Sequence, residues 1–293
     1  MTLDIVMPFY GDPGLLRVAV ESILRQTNPD WRLVVIDDAY PDPNPGDWLK
    51  SLGDPRVTYL RNDINLGVSG NFRKSLDVVE APVFTLMGCD DELLPNYVER
   101  MLRAFADNPG AAYVQPGVVV VDGHGREVLP LGDRVKARLR KHVERTDALS
   151  GEPLATSLLK GNWTYFPSIA WRTEVVRRFG FRADLEVALD LWLQLDIVLD
   201  GGAIALDNVA SFRYRRHAAS VSSWTASEGS RFIEERDVMN ATAKAAEQAG
   251  WPRAARTARR RWSSRVHAAT RVVASLRTKD RSGLLTLLAH VFR

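Results

Sequence analysis

The sequence predicts an α/β fold: a mostly parallel sheet flanked by helices, with a basic helical C-terminal extension. Three observations predict it. Short apolar, β-branched runs alternate with helix-length segments through roughly the first 110 residues, at the spacing of βαβ units. Two of these runs end in paired carboxylates, Asp37-Asp38 and Asp90-Asp91, at strand ends of the kind where such sheets bind ligands. Finally, Trp251 to Arg293 holds eleven Lys or Arg against the single acid Asp280. In a chain of formal charge +3 that local balance of +10 leaves −7 on the residues before it, so the tail and not the body is suited to an anionic partner.

Leu3 to Met7 is a compact apolar run and reads as the first strand. Asp12-Pro13 supplies an N-cap and a proline at N1, and the helix from Pro13 to about Gln26 places Leu16, Val20, Ile23 and Leu24 on one face. Arg32 to Ile36 is a second strand, followed by a loop from Ala39 to Asp47 rich in Pro, Asp and Asn. Val57 to Leu60 reads as a third strand, and Asn65-Leu66-Gly67 opens a helix to about Val79. Val83 to Met87 is the fourth strand, with a helix from Pro95 to about Ala106. Tyr113 to Val121 is a further strand, after which regularity weakens until a helix over Leu185 to Leu199, stopped by Gly201-Gly202. Beyond Ala226 the chain reads as nearly continuous helix.

At 293 residues the chain fits one large domain, or one domain with an appendage, and can bury a sizeable core. Cys89 is its only cysteine, which excludes an intrachain disulfide and a Cys-based metal site and suits a reducing cytoplasm. The N-terminus lacks the basic region of a signal peptide, and no run reaches the roughly 18 to 20 apolar residues needed to span a bilayer. A cytoplasmic location, peripheral at the inner face of the cell membrane, is the expectation. No Gly-x-Gly-x-x-Gly follows the first strand and no Walker-type loop is present, which argues against a dinucleotide oxidoreductase and a P-loop enzyme.

The segment from Val83 to Pro95 is the most informative. Its apolar strand stops at two adjacent carboxylates, which repel each other unless a cation or a donor lies between them. A divalent cation such as Mg²⁺ or Mn²⁺ carrying a diphosphate is the simplest partner, because hard cations prefer carboxylate and phosphate oxygens. The plainer alternative is a solvated turn that also caps the following helix.

Five segments in collinear order resemble the inverting family 2 glycosyltransferases of the GT-A (Rossmann-like) fold. They are Val6-Met7-Pro8-Phe9-Tyr10, Val34-Val35-Ile36-Asp37-Asp38, Asn65-Leu66-Gly67, Gly88-Cys89-Asp90-Asp91, and Tyr214-Arg215-Arg216-His217 followed by Ser220. The resemblance runs from about Leu3 to Ser222. It implies a catalytic domain over residues 1–225, with a nucleotide-binding half at 1–110 and an acceptor-binding half at 111–225, and leaves 226–293 as the extension. It implies a UDP- or dTDP-linked sugar donor lying against Pro8, Phe9, Tyr10 and Asp12, with Asp38 on the base or ribose and Asn65, Gly67 and Asn71 on the nucleoside side. The family's Asp-x-Asp signature is only partly kept, since its first acid falls at Gly88. Asp91 is then the direct metal ligand, Asp90 meets the ribose or a metal-bound water, and His217 completes the coordination; the alternative for His217 is a surface histidine among arginines. Arg215 and Arg216 either neutralise phosphate or are solvated.

An inverting transfer needs one base near the acceptor hydroxyl. Asp190, eleven residues before Gly201, matches the family's separation, although Leu189 stands where an acid usually precedes it. Asp184 and Glu186 are the fallback candidates. Trp163, Tyr165 and Trp171 precede that helix where a saccharide or lipid-linked acceptor is expected, either stacking on sugar or serving as ordinary core. The basic stretch Arg134 to Arg145 is either a solvated helix face or a grip on a phosphate-bearing acceptor.

In the tail, Trp262, Val266, Ala269, Val273 and Leu276 form one helical stripe among arginines. That pattern suits an anionic membrane, packing on the catalytic domain, or a homodimer. Nothing beyond charge speaks for nucleic acid. The rival readings are a silent nucleotide- or membrane-binding protein of the same fold and a sugar-phosphate nucleotidyltransferase, whose Gly-rich loop is absent here.

Overall fold

The computed structural model describes residues 1–146, 149–216, 230–262 and 264–265. In chain order the elements are β1 (Leu3–Phe9), α1 (Pro13–Leu24), β2 (Trp31–Asp37), α2 (Asn44–Ser51), β3 (Val57–Arg61), α3 (Gly67–Asp77), β4 (Val83–Leu86) and β5 (Glu92–Leu93). Then follow α4 (Tyr97–Asp107), β6 (Ala111–Val121), α5 (Leu131–Thr146), α6 (Gly151–Lys160), β7 (Ala170–Arg172), α7 (Thr173–Phe179), α8 (Leu189–Leu199), β8 (Ala203–Arg215), α9 (Ser230–Gln248) and α10 (Pro252–Arg260). Two compact units result. The first comprises Met1–Leu129, Thr164–Asp184 and Ala203–Arg215; the second comprises Pro130–Trp163, Leu185–Gly202 and the described residues from Arg216 onward.

The first unit holds an eight-stranded sheet in the order β3-β2-β1-β4-β7-β6-β8-β5. β1 pairs in parallel with β2 and β4, β2 with β3, and β6 with β8. Only β7 and β5 run against their neighbours. Leu3, Ile5, Met7 and Phe9 of β1 and Leu33 and Val35 of β2 alternate onto one face. There they form one core with Leu16, Ala19, Val20 and Ile23 of α1 and Val98, Met101, Leu102 and Phe105 of α4. Val6, Val34 and Ile36, on the other face, are buried as well, which is why these strands read as continuous apolar runs. Pairing between β6 and β8 slips at Gly117, where a Cβ would stand 2.6 Å from the Val209 carbonyl oxygen; only glycine permits that approach.

The second unit is helical. Glu234 of α9 accepts the backbone N–H groups of Glu186, of Val187 at 2.8 Å and of Ala188 at 3.2 Å, capping the approach to α8. Glu152 of α6 likewise caps α10 through the N–H groups of Arg253 (2.5 Å) and Ala254 (3.1 Å). The expected nearly continuous helix beyond Ala226 has one break among the described residues: α9 ends at Gln248, Gly250 takes φ +74°, and Pro252 begins α10. The loop expected over 39–47 gives way to α2 from Asn44, and β5 intervenes between the acid pair and the following helix. Among the described residues no helix is long and apolar enough to cross a membrane. The tail stripe from Val266 to Leu276 lies outside the described residues.

Candidate active site

In the order β3-β2-β1-β4 the chain reverses its direction of sheet growth beside β1. Open α/β sheets bind ligands beyond the carboxyl ends of the strands at such a switch point. Here those ends carry Pro8 to Asp12 at and just after the end of β1 and Gly88 to Asp91 after β4. The two loops touch: a Cβ on Gly11 would lie 3.4 Å from the Cys89 Sγ. Burial first, then the charges of Asp90 and Asp91, push the Cys89 thiol up to about 12, which keeps it protonated at neutral pH in the metal-free protein.

Two carboxylates converge over Gly88. A Cβ there would stand 2.7 Å from Asp90 Oδ1 and 2.8 Å from Asp91 Oδ2, closer than real Cβ contacts come. Any side chain at Gly88 would have to displace one of these carboxylate ends, so the glycine at the signature's first position accompanies the present packing of the two acids that remain. Asp91 is 1% exposed, and burial first, with the neighbouring charge of Asp90 second, raises its carboxyl well above the ordinary range. Its Oδ1 accepts the Arg215 N–H at 2.8 Å. Arg215, expected to be solvated or to hold phosphate, is 5% exposed. Its guanidinium donates to the Asp90 carbonyl oxygen at 2.8 Å, to the Asp122 carbonyl oxygen at 3.2 Å and to Glu92. It is a buried clip that fixes the acidic turn, helped by β5 pairing with β8. Arg216 forms a bidentate pair with Asp133 in the second unit, both bonds 2.7 Å.

Around the nucleoside side, Phe9 ends β1 and Tyr10 follows it, and the two differ sharply in exposure. Phe9 is fully buried, which corrects its expected place against a ligand, whereas Tyr10 is 56% exposed. Tyr40, for which the sequence carries no signal, touches both, its ring 5.0 Å from Phe9 and 5.7 Å from Tyr10. It follows Ala39, whose φ of 59° is a left-handed conformation that costs a non-glycine residue about 1–3 kcal/mol and tends to mark functional sites. Three contacts hold that turn. The Tyr40 N–H donates to Asp37 Oδ1 at 2.7 Å, Arg61 donates to the Tyr40 carbonyl oxygen at 2.7 Å, and Arg61 pairs with Asp37 at 2.7 Å.

Asp38 is buried and accepts from Asn62 Nδ2 (2.7 Å), the Leu66 N–H (2.8 Å) and the Gly67 N–H (3.0 Å). Asn65 Oδ1 also accepts the Gly67 N–H, at 2.9 Å, and Gly67 has φ +71°. Asn71 is 3% exposed and donates to the Ile36 carbonyl oxygen at 3.2 Å, tying α3 to β2. Asp12 caps α1 through the Gly14 N–H at 2.6 Å, and Pro8 is half-buried.

Asp190 lies in the first turn of α8 in the second unit, half-buried, with Oδ2 accepting from Asn162 Nδ2 at 2.7 Å. A helix N-terminus favours a carboxylate there. Glu186 is exposed. Asp184, in the first unit, is paired with Arg182, which holds its carboxyl below the usual range. Trp163 and Trp171 are corrected from acceptor surface to core. Trp163 is 1% exposed, with its indole bonded to Ser157 Oγ at 3.1 Å, and Trp171 is fully buried against Tyr113 at 4.9 Å. Tyr165 remains half-buried, its ring 5.2 Å from Tyr214.

Among the described residues no three His, Cys, Asp or Glu side chains form a complete metal cage, and His217 lies outside the described residues. The donor set nevertheless fits Mg²⁺ or Mn²⁺. Such ions are bound by one or two carboxylates and take their remaining ligands from water and substrate phosphates, and the convergence over Gly88 offers that pair. Gly88→Ala is expected to push a carboxylate aside and weaken Mn²⁺-dependent nucleotide binding at least about tenfold. Calorimetry checks this, and unchanged affinity would mean the convergence is dispensable.

The family model described as Glycosyl transferase family 2 matches residues 4–158, more than half of the chain. The Escherichia coli protein named UDP-Glc:alpha-D-GlcNAc-diphosphoundecaprenol beta-1,3-glucosyltransferase WfgD is 26% identical over 106 residues, 36% of this chain and 42% of that protein. The chain spans less than two thirds of the length of the first curated relatives it matches. Among solved structures, residues 1–349 of S. aureus TarS in complex with UDP-GlcNAc give a TM-score of 0.64 at 15% identity, covering 83% of this chain and 66% of that one. The mannosyltransferase PcManGT from Pyrobaculum calidifontis, in complex with GDP-Man and Mn²⁺, gives 0.63 at 15% identity, covering 99% and 86%. Those likenesses establish the GT-A fold, and the family match establishes the family: the chain belongs to glycosyl transferase family 2.

Proposed function

We propose that the protein is an inverting glycosyltransferase that uses a UDP- or dTDP-linked sugar with Mg²⁺ or Mn²⁺. The observation that carries the reading is the pair of carboxylates converging over Gly88 at the sheet's switch point. Asp91 would hold the cation, with His217 as the further ligand and Asp90 on the ribose or a cation-bound water. When bound, the cation neutralises the diphosphate and eases its departure. Tyr10 and Tyr40 supply aromatic surface for the base. Asp38 holds the Asn65–Gly67 turn in shape beside it, and Asn71 ties α3 to β2. Arg215 keeps the acidic turn from relaxing when its charges are not neutralised.

Asp190 takes the proton from the acceptor hydroxyl, and a single displacement inverts the anomeric carbon. The acceptor we propose is a saccharide carried on a lipid diphosphate, on the cytoplasmic side of the membrane. That proposal draws on the acceptor printed in the name of WfgD.

Calorimetric titration with UDP, dTDP and GDP, each with and without Mn²⁺, tests the reading. UDP or dTDP should bind at least about tenfold tighter with Mn²⁺ than without. Binding that ignores the metal, or no binding at all, would overturn it.

A further inference from the structure

Helix α5 carries an exposed surface to which the donor site described above assigns no residue. Of Leu131–Thr146 only Asp133 and Val143 are buried, so the helix is held in the second unit by a narrow face. Its two acids are both neutralised, Asp133 by Arg216 and Glu144 by Arg140 at 3.0 Å. Arg134, Arg138, Lys141 and Arg145 recur at 4-3-4 spacing, which is one side of a helix. All four are exposed, and no ion pair engages any of them among the described residues. Beside that row, one turn apart, stand Leu131 at 76% and Val135 at 51% exposure.

An exposed leucine alone needs no explanation. A row of unpaired cations flanked by exposed aliphatic side chains, on a helix with little else to bury, has the composition of a helix that lies in a lipid interface. We propose that α5 docks on an anionic bilayer, with Arg134, Arg138, Lys141 and Arg145 against lipid phosphates and Leu131 and Val135 set among the headgroups. The row spans about 16 Å, longer than one diphosphate group can occupy, and a nucleic acid would engage the cations while leaving both aliphatic side chains in water. The inference is independent of the donor site. Loss of nucleotide binding would not touch it.

The test is co-sedimentation of the full chain with phosphatidylcholine vesicles, with and without phosphatidylglycerol. Binding is expected only to the anionic vesicles and should weaken as salt is raised. Arg134→Gln/Arg138→Gln/Lys141→Gln should lower partitioning by about 100-fold. Leu131→Ser/Val135→Ser should lower it by about tenfold. Both variants should keep the parent's melting temperature and nucleotide affinity. Were the triple variant to melt early, Arg134→Gln and Lys141→Gln singly should each lower partitioning about fivefold.

Equal binding to both vesicle types, a triple variant that binds like the parent, or an unaffected serine pair would each overturn the proposal. So would release from vesicles by inorganic pyrophosphate at matched phosphate concentration, because that would make the row a phosphate site and not a bilayer surface.

Discussion

Asp190→Asn is expected to leave nucleotide affinity within about twofold of the parent and to lower turnover by about 10² to 10⁴, the usual contribution of a positioned general base. The amide is close to isosteric with the carboxylate. It can still face Asn162 at the start of α8, so a fall in kcat with KM nearly constant would report chemistry and not collapse of the helix. The competing acids are poorly suited. Asp184 is committed to Arg182, which favours its ionised form and makes it a weaker base, and Glu186 is exposed. Hydrolysis of the donor, followed by release of the nucleoside diphosphate, checks the expectation without an acceptor in hand. Near-normal turnover in Asp190→Asn would move the base to Asp184 or Glu186.

Asp91→Asn is expected to remove the Mn²⁺ dependence of nucleotide binding, a loss of at least about 100-fold in affinity in the presence of metal. The same change should not destabilise the metal-free fold. Asp91 is buried beside a like charge, and Arg215 donates its backbone N–H to an oxygen that asparagine retains. Neutralising one carboxylate of a close pair relieves their repulsion. A melting temperature at or above the parent's without metal, coupled with lost stabilisation by Mn²⁺ and UDP, is therefore the expected pattern. A variant that melts early in both conditions would assign Asp91 a structural role instead.

β1 to β4 and the helices α1, α3 and α4 between Leu3 and Asp107 were legible because those strands are mostly apolar runs closed by a turn residue or a cap, whereas α2 hid in a Pro-rich segment and β5 is only two residues long. Asp12 is a clear instance: it was read as an N-cap and accepts the Gly14 N–H. The acid pair was legible for the same reason, since two carboxylates break an apolar run abruptly.

β8 was not legible. Its thirteen residues include Asp207, Asn208 and Ser211, and its pairing with β6 is broken by bulges that blur any alternation. Nor could the sequence place Arg215, whose contacts at Asp90 and Asp122 lie about a hundred residues away. Trp163 and Trp171 show the limit of composition: an aromatic cluster reads the same whether it stacks on sugar or fills a core. The break at Gly250-Trp251-Pro252 was available as a glycine stop followed by a proline start, and a long helical stretch on either side obscured it.

Titration of Mn²⁺ into the full chain with UDP, followed by the electron paramagnetic resonance of the free ion, bears most directly on the proposed cation site at Asp91. Parent protein should deplete the free-ion signal well beyond the depletion by UDP alone, and Asp91→Asn should return it to that baseline. Equal depletion by parent and variant would contradict the account, because the cation would then be held elsewhere or by the nucleotide alone.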